Sequence, residues 1–104
     1  MTREEFSITQ EEIAEGIKLS IKGRIDSVNA DELQRQVDRC MQDGKTNIVL
    51  NMLWVEYVSS SAIRVILKSF KDAKKAGGKL GIEQPSQNVR NVLGMVVLNE
   101  LLIK

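Results

Sequence analysis

Two early stretches of the chain alternate apolar and polar residues with a period of two. Phe6 and Ile8 alternate with Ser7 and Thr9, and Ile17, Leu19 and Ile21 share one face of the run from Ile17 to Ile25. That period is the signature of half-buried β-strands, so the two runs predict an antiparallel hairpin turning through Glu11 to Gly16. The period then lengthens. Leu33, Val37, Cys40 and Met41 fall on one helical stripe, with Asn29 as a candidate N-cap, Glu32 completing a capping box and Gly44 as the stop. Asn47 to Met52 is a nearly unbroken apolar run and predicts a central strand covered on both faces, with Leu53 and Trp54 following it. From about Ser60 to Ala76 the helical period returns, with Ile63, Ile66, Leu67, Phe70 and Ala73 on the buried stripe. Arg64, Lys68, Lys71 and Lys75 form a basic face on the same helix, and Gly77-Gly78 ends it. Lys79 to Glu83 predicts a short strand with Leu80 and Ile82 on one side. Pro85 breaks that strand, and Ser86 caps a helix carrying Val89, Val92 and Leu93.

One junction stands out. Tyr57-Val58-Ser59-Ser60-Ser61-Ala62-Ile63-Arg64 places three consecutive serines where a strand hands over to a helix. A serine hydroxyl at a helix N-cap accepts from an unpaired amide of the first turn. The same place combines free N–H donors with the positive end of the helix dipole, which suits a phosphate group.

Composition narrows the chemistry. The chain has 104 residues, which is one domain with one core. Its net charge of +1 calls for neither nucleic acid nor an anionic membrane, and no apolar run nears the roughly 20 residues of a membrane span. Met1-Thr2-Arg3-Glu4-Glu5 lacks the apolar segment of a secretory signal, and a single cysteine cannot form an internal disulfide; both lead to the expectation of a cytoplasmic protein. Cys40, on the apolar stripe, reads as a small buried hydrophobe rather than a reactive thiol. There is no histidine, so no Ser-His-Asp or Cys-His arrangement can be built, and zinc would find only Cys40 as a thiolate ligand. No Ser-x-x-Lys spacing appears at the serine cluster and no Walker-type loop occurs anywhere. An enzyme is therefore not expected, nor any metal or cofactor.

The order of these elements resembles a known family. Ile48-Val49-Leu50-Asn51, followed by Val55-Glu56-Tyr57-Val58-Ser59-Ser60-Ser61-Ala62-Ile63, is similar to the signature of STAS domains, and within them to bacterial anti-sigma factor antagonists. Their usual pattern is a hydrophobic strand ending in Asp, then an aromatic, an aliphatic, Asp-Ser-Ser-Gly-Leu and a helix. Gly23-Arg24-Ile25-Asp26 matches the family's Gly-x-Leu-Asp element and Leu98 to Ile103 its Leu-x-x-Leu-Phe close. Here Ser59 stands where Asp is usual and Ala62 where Gly is usual, and the resemblance places Leu53 and Trp54, at positions usually small or polar in the family, in the loop before the serine motif. The resemblance covers about Phe6 to Ile103. It implies a single α/β domain over residues 1–104, with a mixed sheet of four to five strands flanked by helices and without the terminal helix that the family often adds.

The resemblance also implies a function. The unphosphorylated protein would bind a serine-kinase-type anti-sigma factor and release a sigma factor. Phosphorylation by that kinase would block binding, and a PP2C-type phosphatase would reverse it. The regulated residue by register is Ser60, with Ser61 and Ser59 as the alternatives. The partner surface would draw on Asp26, Trp54, Ser59, Ser60, Ser61 and Arg64. Two readings stay open for Trp54, an exposed anchor for a partner or a cap on one end of the core, and two for Asp26, a partner contact or a strand-ending turn residue. The alternative function is a scaffold subunit of a stress-signalling assembly. The mixed, charged surface leads to the expectation of a monomer.

Overall fold

The computed structural model describes residues 6–101, with side chains described through residue 94. Strand β1 (Ser7–Ile13) and strand β2 (Gly16–Ile25) form the hairpin; helix α1 (Ser27–Gln42), strand β3 (Asn47–Val58), helix α2 (Ser60–Lys75), strand β4 (Lys79–Glu83) and helix α3 (Gln87–Leu101) follow. The sheet has the spatial order β1-β2-β3-β4. β1 runs antiparallel to β2, while β2, β3 and β4 run parallel to one another. Parallel neighbours need crossovers, which α1 and α2 provide. Successive crossovers of one hand, taken in one direction along a sheet, put both helices on the same face.

The core follows from that placement. Ile17, Leu19, Ile21 and Ile25 of β2, Ile48, Leu50 and Met52 of β3, and Leu80 and Ile82 of β4 all point under the helices. Leu33, Val37 and Cys40 of α1 meet them with Ala62, Ile66 and Ala73 of α2 in a single cluster. On the expected stripe of α2, Ile63, Leu67 and Phe70 are only partly buried, and Ser69 is fully buried instead. The predicted covering of both faces does not hold. The opposite face carries Lys18, Ser20, Lys22 and Arg24 of β2 and Val49, Asn51, Trp54 and Tyr57 of β3, with Lys22, Arg24, Trp54 and Tyr57 exposed. There Lys18 bridges to Glu83 at 2.9 Å.

Three boundaries differ from the periodicity. The hairpin turn is tighter than Glu11 to Gly16, because Glu11 and Glu12 still pair with Lys18 and Ile17 and only Ala14 and Glu15 lie between the strands. These polar residues continue a strand whose outer edge meets solvent. Helix α1 starts three residues earlier than Asn29 suggested, with Asp26 as its N-cap. The Asn29 side chain donates instead to the Arg24 carbonyl at 2.7 Å, and Glu32 binds Arg35 and Gln36 rather than closing a capping box. Strand β3 runs on to Val58 and absorbs Leu53 and Trp54, which are not a loop. On α3, Val89 and Leu93 are buried but Val92 is exposed. The stretch from Leu98 to Ile103 lies outside the described side chains.

Both crossover helices end alike. Gly44 and Gly77 take φ of 82° and 84°. The Lys45 amide donates to the Cys40 carbonyl and the Gly78 amide to the Ala73 carbonyl, each closing a Schellman motif. At the opening of β2, a Cβ on Gly16 would collide with the Asn47 carbonyl oxygen. A rigid backbone cannot yield there as a side chain could. Gly16→Ala is expected to lower stability by about 1–3 kcal/mol through this overpacking, seen as a lower denaturant midpoint at unchanged slope. An unchanged midpoint would contradict the close strand approach.

Candidate functional site

Strands β2 and β3 end side by side, with Ile25 opposite Val58. One residue after each, the chain turns into a helix, and that residue caps it. Asp26 (φ −82°, ψ −171°) accepts on its carboxylate from the Asn29 amide at 2.8 Å. Ser59 (φ −81°, ψ 169°) accepts on Oγ from the Ala62 amide at 3.1 Å. The two turns are tied together, because the Ser59 amide donates to the Ile25 carbonyl at 3.0 Å. Two helix N-termini, each a locus of partial positive charge, thus open at the carboxyl ends of adjacent parallel strands. That is where ligands of open α/β sheets gather.

Within this frame the three serines differ. Ser59 is half-buried and its hydroxyl is held by the cap. Ser60, the first residue of α2, is exposed, and among the described residues no hydrogen bond ties its hydroxyl. Ser61 is half-buried. The amides of Ser60 and Ser61 have no acceptor among the described residues, since the first-turn bonds are Ala62 to Ser59 Oγ and Ile63 to the Ser59 carbonyl. Arg64 is exposed one helical turn beyond Ser60. Asp26, Ser59, Ser60, Ser61 and Arg64 are therefore brought together. Further along the basic face, Lys68 pairs with Asp72 at 2.7 Å, and that carboxylate raises the Lys68 pKa. Cys40 is buried among apolar residues, and desolvation pushes its thiol pKa up, the state of an inert thiol.

Trp54 is not part of this cluster. It lies five residues before Ser59 on β3, about 16 Å away at the strand rise, and projects from the open face of the sheet. It is 66% exposed, so it does not cap the core. The reason is a pair of β-bulges. Between Ser20–Asn51 and Lys22–Trp54, β3 advances three residues while β2 advances two, and between Gly23–Val55 and Arg24–Tyr57 it advances two against one. Buried residues of β3 consequently fall at Met52, Val55 and Val58, three apart instead of two. The strand therefore continues through Leu53 and Trp54, where the family resemblance implied a loop, and its three-residue spacing hides that continuation from a period-two pattern.

The sequence reading missed three residues near the site. Val28, in the first turn of α1, is 72% exposed. Tyr57 is exposed on the open face, and the Arg24 guanidinium stacks 4.3 Å from its ring centroid. The polar alternation of Lys18, Ser20, Lys22 and Arg24 was the available signal for that face.

Comparison with known proteins agrees with this geometry. BtrV of Bordetella bronchiseptica, a proposed anti-sigma factor antagonist, is 26% identical over 87 residues, spanning 84% of this chain and 75% of that protein. The fold matches the unphosphorylated anti-sigma factor antagonist SpoIIAA with a TM-score of 0.80 at 17% identity, over 93% of this chain and 86% of that one. It also matches a proposed anti-sigma factor antagonist of Thermotoga maritima with a TM-score of 0.81 at 22% identity, over 91% and 82% of the two chains. At these identities the solved structures speak for the fold. The STAS domain model matches residues 8–103, nearly the whole length, and the chain belongs to the STAS domain family.

Proposed function

We propose that this STAS domain is an anti-sigma factor antagonist controlled by phosphorylation of Ser60. The observation that carries the reading is the exposed, untethered Ser60 hydroxyl at the start of α2, beside a cap that holds the turn without it. The names of BtrV and SpoIIAA support the same function. In this reading the unphosphorylated surface around Asp26, Ser59, Ser60, Ser61 and Arg64 binds an anti-sigma factor of the serine-kinase type and frees a sigma factor. The kinase then phosphorylates Ser60, and a PP2C-type phosphatase restores the binding form.

The physics of such a switch is local. A phosphoserine adds about −1.5 to −2 charges at neutral pH. At Ser60 it would be held by the open Ser60 and Ser61 amides and drawn toward Arg64, yet it would stand beside the Asp26 carboxylate. A surface shaped for a neutral hydroxyl becomes anionic and bulky at its centre. A change of about 1.4 kcal/mol already alters binding tenfold.

Two outcomes are expected. Tandem mass spectrometry of the protein treated with its kinase places the phosphate on Ser60, and Ser60→Ala abolishes it while keeping the complex with the anti-sigma factor. Ser60→Asp weakens that complex only partly, having less charge than a phosphate. Phosphate mainly on Ser59 or Ser61 overturns the assignment, and no phosphate with any such kinase favours a constitutive scaffold. Stability separates the serines independently. Ser59→Ala removes the cap and lowers stability by about 1 kcal/mol, whereas Ser60→Ala stays within about 0.5 kcal/mol of the parent. Equal losses would place the cap on the wrong residue.

A further inference from the structure

The open face of the sheet carries a feature that the serine turn does not use. Thr9, Ser20 and Asn51 stand in register across β1, β2 and β3, and Ser7, Lys22 and Trp54 form the next row. These six residues line a shallow trough of about 350 Å³. That volume lies toward the lower end of the roughly 300–1,000 Å³ typical of small-molecule sites. Both crossover helices lie on the opposite face, so the trough opens to solvent. Trp54 forms one wall of it and is two-thirds exposed. The first bulge of β3 puts the indole there, since regular alternation from Met52 would have sent residue 54 under the helices.

The polar groups of the trough are of one kind. Among the described residues, no hydrogen bond ties the hydroxyls of Ser7, Thr9 and Ser20. Asn51 accepts from the Leu53 amide at 3.1 Å and donates to Glu83 at 3.3 Å, which leaves one N–H and one acceptor site open. The nearby charges are already committed. Lys22 has an interaction within the protein, and beyond Asn51 the Lys18 ammonium and the Glu83 carboxylate neutralise each other at 2.9 Å. What remains is three hydroxyls and part of an amide, able both to donate and to accept, beside the face of an indole.

These features select a ligand class. An ion entering the trough would lose hydration without gaining an uncommitted opposite charge. Groups that both donate and accept match ligand hydroxyls, which do the same. The electron-rich face of the indole attracts the weakly positive C–H groups of a saturated ring. A pyranose has both parts, a face of C–H groups and a rim of hydroxyls. Solvent satisfies scattered surface hydroxyls; here they converge beside the only tryptophan of the chain.

We propose that this trough is a binding site for a neutral monosaccharide in the pyranose form, stacked on Trp54 with its hydroxyls on Ser7, Thr9, Ser20 and Asn51. The Arg24–Tyr57 pair, closer to the serine turn, is not part of it. The site uses no residue of that turn, and the inference does not rest on the regulatory reading of Ser60.

Trp54 reports on its own site. The test titrates the protein with methyl β-glucopyranoside while following Trp54 emission, and repeats the titration with glycerol and with adenosine. Saturation-transfer NMR on the sugar protons gives a second readout that does not need the tryptophan. The glucoside is expected to change the emission saturably with a Kd of about 1 mM, the weak affinity of a ring-sized ligand on an open surface. Glycerol, which has hydroxyls but no ring face, gives no saturation. Thr9→Val keeps the shape of the side chain, removes one hydroxyl and weakens binding by about two- to tenfold. Trp54→Ala removes the stacking face, and the NMR transfer is lost. Both positions are exposed, so both variants keep the parent's far-UV circular dichroism; should Trp54→Ala fail to fold, Thr9→Val still decides. No saturable response to the glucoside, an equal response to glycerol, tighter binding of adenosine, or undiminished binding by either folded variant would each overturn the proposal.

Discussion

The parallel pairing of β2 with β3 is the constraint on which the other features depend. Its last rung sets Ile25 against Val58, and the next hydrogen bond, from the Ser59 amide to the Ile25 carbonyl, carries the pairing one residue into the turn. Because both strands point the same way, both chains leave the sheet at the same end. Because both crossovers have one hand, both helices start on the same face. Asp26 and Ser59 are neighbours in space for these reasons alone, although 33 positions separate them in the sequence. At the opposite end the same logic brings the two Schellman exits together, where the Lys79 amide donates to the Thr46 carbonyl as β4 begins beside β3.

The two bulges of β3 divide the labour between the faces. An unbroken twelve-residue strand in that position would send alternate residues to the core throughout. The extra residues shift the phase, so that Val55 and Val58 still reach the core while Trp54 and Tyr57 reach solvent. The lengthened strand also exposes an edge beyond the end of β4. That edge is satisfied by the start of α3: the Ser86 amide donates to the Met52 carbonyl, the Ser86 hydroxyl to the Val55 carbonyl and the Asn88 side chain to the Glu56 carbonyl. Ser86 meanwhile accepts from the Val89 amide and so caps its own helix. The edge carbonyls of β3 and the first turn of α3 thereby satisfy one another.

Much of this was legible in the chain, and the failures share a cause. Helix α2 and its limits, the Gly44 and Gly77 stops, the inward side of β4 and the Ser86 cap follow from local patterns, since each depends on residues two to five apart. The serine turn was legible because its motif is contiguous. The extent of β3 was not, because a bulge is defined by the partner strand: only the register against Ser20, Lys22 and Arg24 reveals the extra residues. The Asn29 cap misled for a similar reason. Asn29 and Glu32 have the spacing of a capping box, but Ile25 is fixed by its rung with Val58, and the residue after it is the first that can cap.

The exchange of Ser for Asp at position 59 bears on electrostatics more than on shape. Either side chain can accept from the Ala62 amide, so the geometry of the turn does not require the acid. An acid there would place a second carboxylate within the cluster that already holds Asp26, and it would neutralise part of the positive end of α2. With Ser59 the cap is neutral, and the helix terminus keeps its full partial charge at the Ser60 and Ser61 amides. A phosphate on Ser60 would therefore meet less repulsion and more positive potential than in a turn capped by Asp. A kinase approaching the same turn would find one negative charge fewer beside its target. Both effects have the same origin in a single hydroxyl, and they act on opposite partners: one favours the product and the other weakens a local feature that the enzyme can recognise. In the proposed switch, the residue that caps α2 would thus shift the balance between the two forms while leaving the structure of the turn in place.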